Sequence, residues 1–321
     1  MLYNVKAGII GLDNLGRQYA KLIKDHVKNL NLIAASGRSQ NELLYAKNEL
    51  SLEYVYSDEK ALFENHDIDV IFIFSEIHLR PHHAIQAIEK GKHVFMLSPL
   101  ALNVEDARAV FKAADSHPSQ KVMAGSRVRF FPLYQKLKSS IDNGIIGKIK
   151  HITIDSTFVN SINKRYSKPC GSIFLDTAID EIDLCLWLTG IPIKKVLVKD
   201  IGNTYLCDAT LENNSSLHLL LQPKLTKAES FLSIFGEKGQ INLKNTNQLS
   251  FEVINDDGSK NEVSLDSDEQ FLFSEYLQLH HFVENIMGKT KAGIKLSHAV
   301  QIMEIALAFE KSKVLNEAIE I

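Results

Sequence analysis

The segment GIIGLDNLG (residues 8–16) joins an apolar run to an amphipathic stretch that extends from Leu15 to Lys28. A strand that leads through a glycine-containing turn into a helix opens many dinucleotide-binding folds, where the glycines keep the turn tight and the helix close to the strand. The same alternation of apolar runs and helix-length segments continues to about residue 124. This segment therefore sets the pattern for the first part of the chain.

Four further apolar runs continue the pattern. Near-continuous apolar runs rich in β-branched residues are typical of parallel strands that are buried on both faces of a sheet. Right-handed crossovers between such strands give a doubly wound α/β sheet. The runs are LNLIAASG (30–37), DVIFIFS (69–75), HVFML (93–97) and QKVMAGS (120–126).

The second part of the chain, after about residue 125, has a different pattern of apolar residues. Its strand-like runs alternate polar and apolar residues, which indicates a mainly antiparallel sheet. The turn sequences at Gly236–Gly239 and Asp256–Gly258 predict hairpins. Helical patterns cover Asp176–Thr189 and, near the end, about residues 270–287 and 297–314.

We therefore predict an α/β protein of two domains. Residues 1–124 form a dinucleotide-binding domain with a doubly wound parallel sheet, and residues 125–321 form an α+β domain with an open, mainly antiparallel sheet. The net charge of −3 gives no reason to expect a nucleic acid as partner. The sequence pattern predicts neither a signal peptide nor a membrane-spanning segment, and three scattered cysteines predict no disulfide framework. We expect a cytoplasmic protein that binds a small molecule.

The glycine loop departs from the Gly-x-Gly-x-x-Gly fingerprint at its middle position. Gly11 and Gly16 supply the first and third glycines, whereas Asp13 replaces the second, which normally lets the backbone approach a pyrophosphate. A carboxylate would repel the diphosphate, but aspartate is also a good helix cap. Two interpretations stay open. Either Asp13 occupies the anion site intramolecularly, or the loop from Gly11 through Leu15 to Gly16 accepts a dinucleotide in a shifted pose.

The end of the second strand lacks the carboxylate that usually binds the ribose of NAD. The sequence there is ASGRSQ (35–40). If a dinucleotide binds, Arg38 favours the 2′-phosphate of NADP, although an arginine in such a loop is equally often only solvated. The expected cofactor is thus NADP or NAD.

Five longer segments carry a resemblance to a known family. They resemble the Gfo/Idh/MocA family, the group of glucose–fructose oxidoreductase and inositol dehydrogenase. The resemblance implies an NAD(P)-binding Rossmann domain, a C-terminal sheet domain that commonly mediates oligomers, and sugar, inositol or polyol substrates. The segments are DVIFIFSEIHLRPHHAIQAIEKGKHV (69–94), GKHVFMLSPLALNVEDARAVFKAAD (91–115), VMAGSRVRFFPLYQKLKSSIDNGIIGKI (122–149), GSIFLDTAIDEIDLCLWLTG (171–190) and LSHAVQIMEIALAFEKS (296–312).

These segments differ from the family pattern where its chemistry lies. The family's catalytic lysine stands in Glu-Lys-Pro, whereas this chain has Ser98 before Pro99. Its proton-transfer pair is an aspartate followed four residues later by a histidine, whereas here Asp176 is followed by Asp180. The resemblance therefore implies catalytic positions at Ser98, Asp176 and Asp180. It implies cofactor contacts at Pro99 and at Ser75, which replaces the threonine of a Thr-Pro pair.

These replacements predict impaired hydride transfer. A lysine polarises the substrate hydroxyl and a histidine carries its proton, and each general acid–base group contributes about 10²–10⁴-fold. Ser98 is neutral, and an aspartate with an ordinary pKa of about 4 is a weak base. We expect a pseudoenzyme candidate, impaired in standard hydride transfer, that keeps a ligand-binding or subunit role. We also expect it to form a homo-oligomer in which the C-terminal sheet provides the interface. The alternative is an active enzyme in which Asp176 or Asp180 is the base and Arg80 or Arg127 supplies the positive charge.

The carboxylates at 176, 180 and 183 share one helix face, being spaced i, i+4 and i+7. They could hold a divalent cation, bind a polyol or amine, or line a solvated cleft in which Asp183 is paired locally. We predict no dedicated metal site. Arg127 and Arg129 either meet an anionic ligand or form inter-domain ion pairs.

Overall fold

The chain divides into two compact units in this computed structural model. The structure describes residues 4–159, 172–224, 230–244, 249–266, 273–291 and 293–321. The first unit contains the described residues through Ser126 together with Glu275–Met303, and the second contains the other described residues.

The first unit is built on a sheet of six parallel strands. The strands are β1 (Val5–Ile10), β2 (Leu30–Ser36), β3 (Tyr54–Tyr56), β4 (Val70–Ile73), β5 (His93–Leu97) and β6 (Val122–Gly125). Their order in the sheet is β3-β2-β1-β4-β5-β6, the order of a doubly wound dinucleotide-binding sheet. The predicted doubly wound α/β architecture of this part of the chain is confirmed.

Helices connect these strands. They are α1 (Asn14–His26), α2 (Gln40–Leu44) with a π-helical turn at Tyr45–Glu49, α3 (Glu59–Glu64), α4 (Arg80–Glu89) and α5 (Val104–Ser116). Helix α8 (Ser274–Ile286) also belongs to this unit, because the ring of Phe282 lies 5.7 Å from that of Phe95 and Gln278 donates to the hydroxyl of Tyr19.

Strand β3 is an edge strand that the apolar runs do not predict. It has three residues, and all are only partly buried. A strand this short has no room for a recognisable periodicity, so its place beside β2 becomes visible only in the structure.

The second unit contains a nine-stranded sheet. Its strands are β7 (Ile149–Val159), β8 (Ile193–Ile201), β9 (Thr204–Leu211), β10 (Ser216–Lys224), β11 (Ser230–Gly236), β12 (Gly239–Leu243), β13 (Ser250–Asn255), β14 (Lys260–Ser264) and β15 (Ile319–Glu320). Their order is β14-β13-β12-β11-β7-β10-β9-β8-β15. Only the pair β7 and β10 is parallel among these described strands, so the sheet is mixed but mostly antiparallel. Both predicted hairpins are present, as β11–β12 and β13–β14.

One face of this sheet is buried by the chain itself. Leu217, Leu219 and Leu221 alternate along β10 and are almost completely buried. The longer helices with most of their described residues in this unit are α6 (Pro132–Asp142), α7 (Ile179–Thr189), which continues a π-helical turn at Phe174–Ala178, and α9 (Leu296–Leu315). Across the part of the chain that the structure describes, none of the helices has the length and apolar character needed to cross a membrane.

Candidate functional site

The turn after β1 needs glycine at two positions. Gly11 has φ +87°, and a Cβ there would lie 2.8 Å from the backbone of Phe74 and Ser75. A Cβ on Gly16 would lie 2.1 Å from the carbonyl oxygen of Gly11. The first and third glycines of the fingerprint thus have the roles expected of them, a tight turn and close helix packing.

Asp13 caps the helix that follows this turn. Its Oδ1 accepts hydrogen bonds from the backbone N–H of Leu15 at 3.1 Å and of Gly16 at 3.0 Å. These are N–H groups that would otherwise be offered to a phosphate at the helix N-terminus. A dinucleotide must therefore displace this carboxylate or lay its pyrophosphate beside the loop.

A pocket of about 260 Å³ opens at the carboxyl ends of the strands. Among its lining residues are Gly11, Asp13, Arg38 and Ser75, so the structure brings together four of the predicted cofactor residues. Leu15 and Gly16 are not among the lining residues of this pocket; their N–H groups donate to Asp13, which is. The position and the two obligatory glycines fit a dinucleotide, since ligands of this fold bind at this edge of the sheet.

Two carboxylates that no cofactor-binding motif indicates, Glu42 and Glu59, lie at the end of the pocket near β2, here called the ribose end because the ribose of a dinucleotide binds there in this fold. Glu42 accepts from the backbone N–H of Arg38 and of Ser39, in a capping box that opens α2. Glu59, from the first turn of α3, lies with its Oε1 3.4 Å from the guanidinium of Arg38. Arg38 is thus ion-paired.

A buried histidine links Glu59 to Ser75. His83 is fully buried, with Nδ1 2.8 Å from Ser75 Oγ and Nε2 3.2 Å from Glu59 Oε1. Burial lowers the pKa of His83, so the ring is neutral at neutral pH. Because a carboxylate only accepts, the ring proton lies on Nε2 and the Ser75 hydroxyl donates to Nδ1.

Arg80 holds the turns after β4 and β5. It is 2% exposed, and its Nε donates to the carbonyl of Ser75 while Nη1 donates to the carbonyls of Leu97 and Pro99. The peptide bond between Ser98 and Pro99 is cis. Through these contacts Arg80 holds the backbone on both sides of Ser98 in place.

In the second unit Arg129 and Asp183 form a buried ion pair. Arg129 Nε donates to Asp183 Oδ1 at 2.8 Å, and Nη2 donates to the same oxygen. The two side chains are 8% and 2% exposed. Asp183 is therefore paired locally, one of the outcomes expected, and the pair lies within one unit rather than between domains.

Arg127 and Asp180 form a second, more open pair in the same unit. Their side chains approach to 3.5 Å and are 47% and 21% exposed. Asp176 lies half-buried in the π-helical turn that precedes α7. Throughout the described ranges, no three histidine, cysteine or carboxylate side chains are arranged to hold a metal ion.

Comparisons with known proteins agree with this architecture. A family model described as "Oxidoreductase family, NAD-binding Rossmann fold" matches residues 5–126, and its companion, "C-terminal alpha/beta domain", matches residues 138–314. The myo-inositol 2-dehydrogenase of Thermotoga maritima is 24% identical over 80% of this chain and 80% of its own length. The inositol 2-dehydrogenase/D-chiro-inositol 3-dehydrogenase of Halalkalibacterium halodurans is 25% identical over 88% of this chain and 83% of its own.

Solved structures give the same result. The apo scyllo-inositol dehydrogenase of Lactobacillus casei superposes with a TM-score of 0.87 at 26% identity, covering 100% of this chain and 99% of its own. The structure of that enzyme with bound NAD(H) and scyllo-inositol has a TM-score of 0.86 at 25% identity, covering 99% of each chain. The chain therefore belongs to the Gfo/Idh/MocA oxidoreductase family, and its first unit is an NAD-binding Rossmann domain.

Proposed function

We propose that this protein binds a nicotinamide dinucleotide and a polyol-type ligand but transfers hydride poorly, and so serves as a ligand-binding or subunit member of its family. One observation carries the proposal. Asp180, which the resemblance implies stands at the position of the family's proton-carrying histidine, is ion-paired with Arg127. A carboxylate held by a guanidinium is a poor acceptor for the hydroxyl proton of an alcohol.

The residue before Pro99 supports the same conclusion. A bound nicotinamide would accept or supply the hydride, while the protein must polarise the hydroxyl and move its proton. Ser98 carries no charge and is largely buried, so it cannot create the field of an ammonium group. With both groups replaced, two contributions of about 10²–10⁴-fold each are lost.

The polyol class of ligand is supported by the relatives. One protein of known structure that this chain resembles is a scyllo-inositol dehydrogenase, with NAD(H) and scyllo-inositol bound. In this chain Asp176 and the partly exposed pair Arg127–Asp180 offer hydrogen-bond acceptors and donors suited to hydroxyl groups.

Restoring the missing groups tests the proposal. We expect the wild-type protein to bind NAD⁺ in a calorimetric titration but to oxidise myo- or scyllo-inositol far more slowly than typical enzymes, whose kcat is about 1–10³ s⁻¹. The double variant Ser98→Lys, Asp180→His should raise kcat/KM by about 100-fold or more, whereas Ser98→Ala should not. Ordinary turnover by the wild-type protein would refute the proposal.

The second candidate is an active oxidoreductase for a sugar, inositol or related polyol with a rearranged site. It is favoured by Asp176, which the resemblance identifies as the retained member of the proton-transfer pair. If Asp176 is the base, Asp176→Asn abolishes turnover, and unchanged turnover in that variant excludes this candidate.

We also propose a homo-oligomer that forms through the sheet of the second unit. Phe231 and Phe235 lie on the same side of β11, and both rings are substantially exposed. Covering them in an interface would remove apolar surface from water. A monomeric mass in solution at high protein concentration would contradict this assembly.

A further inference from the structure

The pairing of strands β2 and β3 places Glu59, which follows β3, beside the ribose end of the pocket. Strands β2 and β3 are parallel neighbours with Ser36 opposite Tyr56, and the N–H of Gly37 donates to the carbonyl of Tyr56. The residues that follow the two strands therefore emerge at the same edge. A carboxylate that is missing after β2 is supplied from the start of α3.

The Glu59 carboxylate is held in place by groups on two sides. His83 Nε2 donates to Oε1 from the buried side, and the guanidinium of Arg38 approaches the same oxygen from the solvent side. The Glu59 side chain remains 26% exposed and lines the pocket. Both contacts use Oε1, and the side chain remains accessible from the pocket, where a ligand hydroxyl can donate to the carboxylate.

This carboxylate is ionised at neutral pH. Burial opposes its ionisation, but its own backbone N–H, His83 and Arg38 outweigh burial and lower the pKa of the Glu59 carboxyl. An ionised carboxylate accepts hydrogen bonds from neighbouring hydroxyls, which is how acidic residues of this fold bind the ribose of NAD.

The charges of the pocket oppose an additional phosphate. Its charged lining residues are four carboxylates, Asp13, Glu42, Glu59 and Glu76, and one guanidinium, Arg38. Arg38 is already paired with Glu59, so binding a 2′-phosphate through Arg38 would break that pair and place two anions together.

From these contacts we propose that Glu59 is the specificity-determining residue of the cofactor site, that it accepts hydrogen bonds from the adenosine ribose hydroxyls, and that it selects NAD over NADP. His83 is the positioning residue that orients it. This assignment rests on the proposed binding of a dinucleotide. It reverses the preference for NADP that Arg38 suggests when the sequence is considered alone.

Calorimetric titration of the purified, nucleotide-stripped protein with NAD⁺ and with NADP⁺ tests the assignment without requiring turnover. We expect wild-type protein to bind NAD⁺ at least about tenfold more tightly than NADP⁺. Glu59→Gln should weaken NAD⁺ binding by about ten- to hundredfold and shrink the ratio of the two dissociation constants, because hydrogen bonds to a charged group are lost. The matched control is Glu64→Gln, on the same helix but facing Lys90 at the surface.

The possible outcomes separate the two proposals. Preference of the wild-type protein for NADP⁺, or an unchanged NAD⁺ affinity in Glu59→Gln, overturns the role of Glu59 and leaves dinucleotide binding intact. Binding of neither dinucleotide at millimolar concentration overturns the proposed function and this assignment together. A second variant, His83→Asn, should weaken NAD⁺ binding less than Glu59→Gln does, since it removes only the support of the carboxylate. An effect of His83→Asn larger than that of Glu59→Gln would contradict the positioning role.

Discussion

The cofactor pocket of the first unit and the acidic helix face of the second unit differ in how their charges are used. In the pocket the charged side chains line a cavity, and Glu59 faces that cavity while it also contacts His83 and Arg38. On the helix face Asp180 and Asp183 are each paired with an arginine of their own unit. The comparison shows that the glycine-dependent backbone of the loop is preserved in the first unit, whereas the acidic residues of the helix face in the second unit are engaged in ion pairs.

Removing Asp183 should have the largest effect on stability. Asp183→Ala leaves the Arg129 guanidinium buried without its counter-ion, and we expect a loss of about 3–5 kcal/mol in the free energy of unfolding, measured with urea. Asp180→Ala is the matched control, since an exposed pair contributes about 1 kcal/mol or less. Equal losses in the two variants would show that the two pairs do not differ as the structure indicates.

A smaller loss of stability is expected when the glycine turn after β1 is changed. Gly11→Ala combines positive φ with a clash against the backbone of Phe74 and Ser75, and should cost about 2–4 kcal/mol and weaken NAD⁺ binding. Gly144→Ala has a similar φ of +78° but no atom within 4 Å of the added Cβ, so it should cost about 1–2 kcal/mol. If both variants are equally stable, the close approach at Gly11 is not rigid.

The smallest effect concerns the buried His83. Because burial lowers its pKa below that of the unfolded chain, the unfolded state binds the proton first as the pH falls below about 6.5. The free energy of unfolding is therefore independent of His83 protonation above that pH. As the pH falls from there toward the pKa of His83 in the folded protein, the free energy of unfolding decreases by at most about 1.4 kcal/mol per pH unit. Urea unfolding measured between pH 7.5 and 5.5 should show that the free energy of unfolding falls less steeply with decreasing pH in His83→Asn than in the wild-type protein. A decline identical to that of the wild-type protein would mean that His83 is not held neutral by the fold.

Much of the architecture can be predicted from the sequence because the longer strands and helices have periodic patterns of apolar residues. The buried strands around β4 and the hairpin at Gly236–Gly239 follow from local composition alone. Helix α6 was not singled out, although Pro132 at its first position and the buried side chains of Leu133, Leu137 and Ile141 at helical spacing give a signal that could have found it.

The parts of the site that were missed depend on pairings distant in sequence. Glu59 reaches the pocket only because the three-residue strand β3 pairs with β2, and nothing local to residues 54–59 indicates that neighbour. Likewise Arg129 and Asp183 are 54 residues apart, so spacing identified both as candidates but could not show that they bind each other. The roles proposed for Ser98, Asp176 and Asp180 stay predictions.

The Asp13 carboxylate competes with a pyrophosphate for the backbone N–H groups of the loop. Helix α1 is already satisfied by an internal anion, so its stability does not depend on a bound cofactor. A dinucleotide that uses these amides exchanges one set of hydrogen bonds for another, and its net affinity is the difference between the two. A dinucleotide that binds through these amides would therefore reach half-saturation at a higher concentration than in a protein whose loop has no internal anion to displace.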